Sequence, residues 1–237
     1  MKISVISTKE IRSYLGSPVV YIVVGVFLLL SGAFFSMYLS GTSYADTSIR
    51  GFVDASQFLI LLFAAMLSMR VIAEEKKLGT WEFLLTSPVA DAEIIFSKFI
   101  ASLAILTGML ALSLYYPLLL LIFGDPDIGP IATSYIGLFL LGSASLAVGI
   151  FASSVTANQI VAAVLSLGIL VSLWFLGSAG AIVGGPVGSL LSYVSLADHF
   201  TDFARGIINT QHVIYYASVT TVFLYLSVRS IEAGRWY

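Results

Sequence analysis

Charged residues are scarce in this sequence, and their densest group lies at residues 70–89, between two apolar runs. Gly79 favours the end of one helix, Thr80 can cap a second, and Pro88 ends that second helix within about two turns. A helix this short is marginal in water and has to pack on something. Two interpretations stay open: an amphipathic segment that rests on lipid headgroups, or a docking helix that binds a soluble partner. The candidate binding residues are Glu74, Glu75, Lys76, Gly79, Thr80, Trp81, Glu82, Leu84, Leu85 and Pro88.

A second group of polar residues lies at the end of a long uncharged stretch, between residues 196 and 212. His199, Asp202 and His212 could supply nitrogen and oxygen ligands to a metal ion. Apolar residues also recur there at helical spacing, which favours an amphipathic interfacial helix with the polar residues on or near its wet side. Asp202 and Arg205 would then form an ion pair three residues apart. We favour the helix over the metal site, and its candidate residues are His199, Phe200, Asp202, Phe203 and Arg205.

Several kinds of chemistry are excluded by missing residues. A phosphate-binding loop needs a Gly-Lys pair before Ser or Thr, and the sequence contains no Gly-Lys pair. It also contains no cysteine, which removes thiolate nucleophiles and thiolate metal sites. No charged residue lies deep inside an apolar run, which argues against an ion-coupled carrier, and the absence of catalytic pairs at membrane depth argues against a hydrolase. We therefore expect neither an enzyme nor a cofactor or metal in this chain.

The elements that must position these residues are membrane-spanning helices. Of 237 residues, 59% are hydrophobic and only 10% are charged, and mean hydropathy is +1.01, so lipid is the solvent for most of the chain. Polar residues at 152–159 divide the uncharged stretch after Asp127 into two spans, and Pro117 should kink the third span and free a carbonyl. We predict one transmembrane domain over residues 1–237. It comprises an interfacial helix (1–17), six spans (18–40, 52–73, 94–123, 131–152, 159–177 and 211–229), a cytoplasmic loop (74–93) and an outer re-entrant or amphipathic segment (178–210).

Lysine and arginine are distributed unevenly between the two sides that six spans create. Only Arg50 and Arg205 fall on one side, and the other nine fall on the opposite side. Because short cytoplasmic loops are enriched in these residues, we expect both termini and residues 70–98 in the cytoplasm. The nine are Lys2, Lys9, Arg12, Arg70, Lys76, Lys77, Lys98, Arg229 and Arg235.

Small residues in the fourth span allow two interpretations. Residues 142–145, Gly-Ser-Ala-Ser, fit a close helix–helix interface. The alternative is a polar seam, whose residues would be Ser143, Ser145, Ser153, Ser154, Asn158 and Gln159. We favour the interface.

Several segments carry a resemblance to a known family. Glu74 to Val89 follows the pattern Glu-Glu-Lys-x-x-Gly-Thr-x-Glu-x-Leu-Leu-x-x-Pro-Val, and Lys98 follows it at the start of the third span. The chain resembles the ABC-2-type transporter permeases over essentially its whole length. Within them it is most similar to the gliding-motility-associated permeases and, more distantly, to the permease for copper-enzyme maturation. The segments that point to this subgroup are Tyr135 to Leu138, Gly149 to Val161, His199 to Ile207, Tyr215-Tyr216 and Arg235-Trp236.

The resemblance implies an all-α integral membrane fold of the ABC-2 or type V exporter kind. The N-terminal interfacial helix would be its elbow helix, and Thr80 to Ser87 its cytoplasmic coupling helix, which enters a cleft on an ATPase. The permease would lie in the inner or cytoplasmic membrane, dimerise with a second copy or a paralogue, and rest on two ATPase subunits that bind ATP and Mg²⁺. Its partners would be these proteins and membrane lipid, and no nucleic acid.

Two functions remain open at this point. The first is ATP-driven transport, with export as the expected direction. The second is a mechanical module, in which the same ATPase-driven dimer moves no solute and works on a periplasmic or extracellular accessory protein through residues 177–211. The substrate is not specified, because an uncharged cavity suits lipids, peptides and hydrophobic drugs alike.

Overall fold

The computed structural model describes residues 2–41, 50–81, 89–124 and 126–234. Every regular element in these four ranges is a helix, and six helical segments are long and apolar enough to cross a membrane, which confirms the predicted fold class. The helices are α1 (Lys2–Gly16), α2 (Pro18–Gly41), α3 (Arg50–Ser68), α4 (Ala73–Leu78), α5 (Asp91–Ser113), α6 (Tyr115–Phe123), α7 (Ile128–Val155), α8 (Gln159–Val183), α9 (Gly185–Val194), α10 (Thr201–Ala204) and α11 (Thr210–Gly234).

The six spans follow the predicted order, and several are longer than expected. The helical segment that contains span 2 covers Gly51–Leu78, because α4 continues α3 after a short turn, so residues 74–78 of the expected loop are helical. Span 5 covers Gln159–Val183 and passes the expected end at residue 177. The remaining spans are Pro18–Leu39, Asp91–Phe123, Ile128–Val155 and Thr210–Ala233.

Successive spans run in opposite directions, so the connections between them lie at two ends of the bundle. One end carries α1, α4, the start of α5 and the link between α7 and α8, and we call it the Lys98 end. The other end carries the link between α6 and α7 and the whole of residues 184–209, and we call it the His199 end.

Helix α7 lies at the centre of the bundle. In its most apolar stretch 78% of the residues are buried, against 22% in α8, and it contacts α3, α5, α8 and α11. Gly142 permits this approach, because a Cβ there would lie 2.7 Å from Leu106 Cδ2. Ser143 and Ser145 are buried and donate hydrogen bonds to carbonyls of their own helix. These small residues therefore form the packed interface that we favoured, and not a polar seam.

A proline kink divides span 3 into α5 and α6. Pro117 lacks the N–H that would bond to the carbonyl of Ser113, four residues earlier. Tyr135 of α7 donates its hydroxyl to that carbonyl at 3.0 Å. The helix is interrupted at Leu114. The predicted kink and freed carbonyl are confirmed, and the tyrosine that satisfies the carbonyl comes from a different span.

Helices α8 and α9 form a tight hairpin at the His199 end. The chain reverses at Gly184 and Gly185, whose φ angles of 66° and 62° lie in the left-handed region that glycine tolerates best. Below the turn, a Cβ on Gly180 would lie 2.6 Å from the carbonyl oxygen of Gly188, so the two backbones touch. The glycines expected to interrupt the helix from residue 177 instead serve this close approach, and α8 ends only at Val183.

Gly149→Ala tests the close packing around α7. A Cβ at Gly149 would lie 2.6 Å from the Cβ of Ser68, so the helix backbones have to move apart. We expect the free energy of unfolding to fall by about 1–3 kcal/mol, seen as a lower midpoint in thermal unfolding of the detergent-solubilised chain. Gly168→Ala is the control, because a Cβ there meets nothing within 4 Å and alanine favours a helix. Equal midpoints for the two variants would contradict this packing.

Candidate functional site

The candidate binding segment at residues 70–89 is described in part. In the described part, α4 ends at Gly79, which has a φ of 72° and whose N–H bonds to the carbonyl of Lys76 at 3.3 Å. Residues 77–80 are all exposed and form the visible surface of this segment. Four candidate residues fall in the range 82–88, outside the described residues: Glu82, Leu84, Leu85 and Pro88.

Lys98 is the electrostatic centre of this end of the bundle. Its side chain is 2% exposed, and its Nζ donates to Glu75 Oε1 at 2.7 Å and to Glu10 Oε1 at 3.3 Å. A charge removed from water in this way has to be paired and hydrogen-bonded. Lys98 therefore ties α5 to α4 and α1. The family motif pointed to Glu75 and Lys98, whereas Glu10 was missed, although it is the lone acidic residue of an otherwise basic helix.

Hydrogen bonds also join α1 to α5. Ser7 Oγ donates to the carbonyl of Ser97 at 3.3 Å, and the Tyr14 hydroxyl lies 3.1 Å from Ser102 Oγ. Burial raises the pKa of Tyr14 above its ordinary value, so the phenol stays neutral in this contact. The elbow-like helix α1 is thus attached to the bundle along its length, and not only to a lipid surface.

Glu74 makes a local ion pair instead of joining the Lys98 cluster. Arg70 donates from Nε and Nη2 to the two carboxylate oxygens of Glu74, at 3.1 and 2.9 Å. The two side chains are 30% and 35% exposed, so this pair contributes only about 0.2–1 kcal/mol. It stiffens the turn between α3 and α4 and does not fix where that turn lies.

Ser153 of α7 fixes the turn between α3 and α4. Its Oγ accepts hydrogen bonds from the backbone N–H groups of Ile72 and Ala73, at 3.1 and 2.9 Å, and donates to the carbonyl of Met69 at 3.1 Å. No side chain at Ile72 caps α4, so a residue eighty positions away does the work of a helix cap. Lys76 Nζ adds a hydrogen bond to the carbonyl of Ser154. From the sequence, these two serines were placed in the link between spans or in a polar seam, and their bonds to the turn before α4 were not foreseen.

Trp81 is positioned differently from the expectation. As a docking residue it would face a partner, but its side chain is 7% exposed and belongs to the hydrophobic core. The apolar surface of the indole is therefore buried by the chain itself and is not offered to a partner. The exposed side chains next to it are Lys77, Leu78 and Thr80, with Leu78 at 67%.

At the His199 end the two histidines meet. His199 Nδ1 lies 2.6 Å from His212 Nδ1, and His212 Nε2 lies 2.9 Å from Asp202 Oδ2. His199 Nε2 donates to the carbonyl of Tyr193 at 2.9 Å, and the ring stacks on Tyr215 with centroids 3.8 Å apart. The result is a hydrogen-bonded chain from α9 to α11.

The hydrogen-bond partners of the two rings indicate where their protons lie. The Tyr193 carbonyl and the Asp202 carboxylate both accept, so each histidine carries a proton on Nε2. A hydrogen bond between the two Nδ1 atoms needs a further proton on one of them. Burial lowers the pKa of His199, and the neighbouring His212 lowers it further, although the Tyr193 carbonyl and Asp198 oppose this shift. The environment of His199 therefore favours its neutral form.

The structure corrects the expected amphipathic helix over residues 196–207. A 3₁₀ turn at Asp198–Phe200 and the short α10 replace it, and Gly206 ends the segment with a φ of 90°. His199 is 4% exposed and so is not on a wet side, because it is packed between α9 and α11. Phe200 and Phe203 pack on Gly137 of α7, and not on lipid.

Two further expectations for this site concern a metal ion and an ion pair between Asp202 and Arg205. In the described part of the chain no group of three His, Cys, Asp or Glu residues could hold a metal. The two Nδ1 atoms are at hydrogen-bond distance from each other, 2.6 Å, so each ring engages the other. Asp202 pairs with His212, and not with Arg205, whose side chain is exposed.

Lys98→Met tests the buried cluster. Methionine keeps the apolar stem but leaves the carboxylates of Glu75 and Glu10 without their cation, and we expect a loss of about 3–5 kcal/mol in the free energy of unfolding. Lys98→Met combined with Glu75→Gln should recover part of this loss, because one uncompensated charge is removed. Arg229→Met is the control, since its side chain is 60% exposed and its loss should change the midpoint little. Equal effects of the two methionine variants in thermal unfolding would show that Lys98 does not hold this end together.

Acid should loosen the His199 end. Because the pKa of His199 is lowered in the folded chain, its contribution to stability is complete above its ordinary value of about 6.5 and declines as the pH falls toward the lowered folded value. Protonation of His199 would also turn its Nδ1 from an acceptor into an N–H donor, which faces His212 Nδ1 at 2.6 Å. We expect amide hydrogen exchange in residues 193–212, corrected for intrinsic rates, to accelerate from about pH 7.5 to about pH 5.5. His199→Gln should lack this acceleration, and an unchanged pH response in that variant would contradict the assignment.

Comparison with known proteins supports the fold class. The sequence matches the family described as ABC-2 family transporter protein over residues 4–231 of its 237, and no curated protein matches it. This family supplies the permease component of ABC transporters. It is not itself catalytic, and membership implies ATPase partners in general. The resemblance to ABC-2 permeases is thereby confirmed. With its six apolar spans, the chain is a multi-pass membrane protein that belongs to the ABC-2 transporter family.

Proposed function

We propose that this chain is the permease subunit of an ATP-driven exporter, which dimerises and carries two separate ATPase subunits at its Lys98 end. The observation that supports the class of function is the family match over nearly the whole chain. The observation that supports the coupling role is the buried Lys98 cluster directly behind the exposed end of α4. ATP and Mg²⁺ would bind to the ATPase, since the chain lacks the Gly-Lys pair of a phosphate-binding loop.

The charge distribution supports a cytoplasmic Lys98 end. The short connections of that end hold most of the lysine and arginine, and the opposite end holds Arg50 and Arg205. Both termini would then be cytoplasmic, in the inner or cytoplasmic membrane. A soluble ATPase would meet residues 77–80 and the segment that follows them.

Two routes lead from that surface into the bundle. The first runs from Glu75 on α4 through Lys98 to α5, and the second from the backbone at Ile72 and Ala73 through Ser153 to α7. A displacement of α4 would therefore act on two spans at once. ATP binding shifts such a dimer only by as much as the ATPases differ in affinity for its two conformations.

One observation favours the mechanical alternative. The α8–α9 hairpin exposes a set of large apolar side chains at the His199 end, among them Ile182 at 86%, Val187 at 58% and Leu190 at 65%. Exposed apolar patches mark interaction surfaces or lipid contact. In this alternative the hairpin would bind an outer partner on which the ATPase-driven dimer does mechanical work. Membership of the gliding-motility subgroup stays a prediction and is compatible with either function.

Lys77→Glu tests docking at the exposed end of α4. A reversed charge on the docking surface should lower the amount of co-purified ATPase about tenfold, which corresponds to ~1.4 kcal/mol of binding free energy. Lys9→Glu is the matched control, because Lys9 is also an exposed lysine at the same end but lies on α1. The measurement is quantitative mass spectrometry of the tagged chain purified in mild detergent. Equal ATPase recovery in the two variants would contradict a docking role for α4.

The same purification tests the function as a whole. We expect a stoichiometric ATPase with vanadate-sensitive activity in the eluate. A chain that is repeatedly recovered alone and inactive would contradict the proposal. An outer protein that co-elutes, and that is lost in Leu190→Asp while the ATPase is retained, would favour the mechanical alternative over export.

A further inference from the structure

Helix α6, the half of span 3 nearest the His199 end, has few contacts with the rest of the bundle. Of its nine residues only Pro117 and Leu120 are buried. Ile122 and Phe123, near its end, are 71% and 85% exposed. In a membrane, apolar side chains lose little when lipid replaces a neighbouring helix, because acyl chains are as apolar as leucine. The polar contacts of α6 therefore decide how firmly it is held.

The backbone at the kink is satisfied without any contribution from α6. Pro117 has no N–H to offer the carbonyl of Ser113, and Tyr135 of α7 donates to this carbonyl at 3.0 Å. That bond joins α5 to α7, so it does not depend on the direction in which α6 points. The N–H of Leu118 bonds to the carbonyl of Leu114 at 3.1 Å, where the hydrogen bonds of α6 begin. A change of angle at Pro117 would therefore leave the Ser113 carbonyl with its partner.

Tyr116 forms the polar contact that holds α6 on α2. Its hydroxyl donates to the carbonyl of Leu28 at 2.5 Å, and no other side chain of α6 has a hydrogen bond to another helix among the described residues. The ring reaches α2 because Gly32 has no side chain, and a Cβ there would lie 2.9 Å from Tyr116 Oη. Ser31 Oγ also donates to the Leu28 carbonyl, at 3.1 Å. That carbonyl therefore keeps a partner if Tyr116 leaves.

A contact of this kind gives only a shallow preference for the closed arrangement. Hydrogen bonds between membrane helices change a two-state population by about threefold to thirtyfold. Ring packing adds to this, because the centroid of Tyr116 lies 5.4 Å from that of Phe35 and 5.5 Å from that of Phe52. Phe35 belongs to α2 and Phe52 to α3, so one movement of α6 releases the hydrogen bond and both ring contacts.

We propose that α6 is a flap that pivots at Pro117 and is latched to α2 by Tyr116. The structure shows the latched arrangement. When the hydroxyl releases the Leu28 carbonyl, α6 tilts away from α2 and opens a gap toward lipid, in which Phe35 and Phe52 become accessible. Residues 124–127 join α6 to α7 and span at most about 14 Å, so the flap tilts without detaching.

The flap would give the proposed exporter a lateral opening. The gap is lined by aromatic side chains, and α6 carries no charged residue, so it would suit an apolar or amphiphilic molecule that leaves into lipid. This consequence rests on the proposed function. The pivot and the latch lie within one chain and need no ATPase, so their failure in a test on the chain alone would leave ATP-driven transport untouched.

Distance measurements between two spin labels test the flap. The chain contains no cysteine, so Ile122→Cys on α6 and Ile214→Cys on α11, both exposed, supply the two labelling sites. The full chain is placed in lipid nanodiscs with an excess of unlabelled chain, so that a dimer adds no further distances. In double electron–electron resonance, Tyr116→Phe should raise the population of a second distance about threefold to thirtyfold. Tyr115→Phe is the matched control, because this neighbouring tyrosine is 61% exposed, and it should leave the distances unchanged.

Pro117→Ala separates a pivot from general loosening of the bundle. Alanine restores the missing N–H and favours a continuous helix, so Tyr116→Phe combined with Pro117→Ala should return to a single distance. Equal distance distributions for Tyr116→Phe and Tyr115→Phe would overturn the latch. A second distance that persists in the double variant would overturn the pivot at Pro117.

Discussion

A lysine can leave water only together with negative partners, and this requirement organises one end of the molecule. Lys98 is buried within span 3, and its two carboxylates come from residues 88 and 23 positions away. The pairing with Glu10 holds α1 against α5, and the pairing with Glu75 holds α4 against the same helix. The position of α4 and α1 at this end is therefore set by one ammonium group to which both helices are tied.

Helix α7 extends this constraint through the bundle. Near one end its Ser153 binds the turn before α4, and near the other end its Thr133 donates to the carbonyl of Phe203 at 2.7 Å. Between them, Gly142 and Gly149 bring neighbouring spans into close contact. Both ends of the bundle are therefore bonded to the same central helix.

Hydropathy and helix-breaking residues alone gave six spans in the right order, the kink at Pro117 and the end of α4 at Gly79. These features depend on residues close together in the chain, which is why they can be predicted locally. Partners of buried polar groups could not be predicted in the same way. Neither the Glu10–Lys98 pair nor the cap that Ser153 gives to α4 leaves a local signature, and Asp202 was assigned to Arg205 although it pairs with His212.

Burial was likewise decided by the tertiary structure. Trp81 and Phe203 look like surface residues of amphipathic segments, and both are in the core. Phe203 is covered by residues of α7 and α11, which are distant in the sequence. A periodic pattern shows that a helix has an apolar face, but it does not show whether lipid, a partner or the same chain packs against that face. The sequence thus determined which segments cross the membrane. Only the packing of the spans determined which charges meet and which apolar faces are left exposed, because both depend on contacts between residues far apart in the chain.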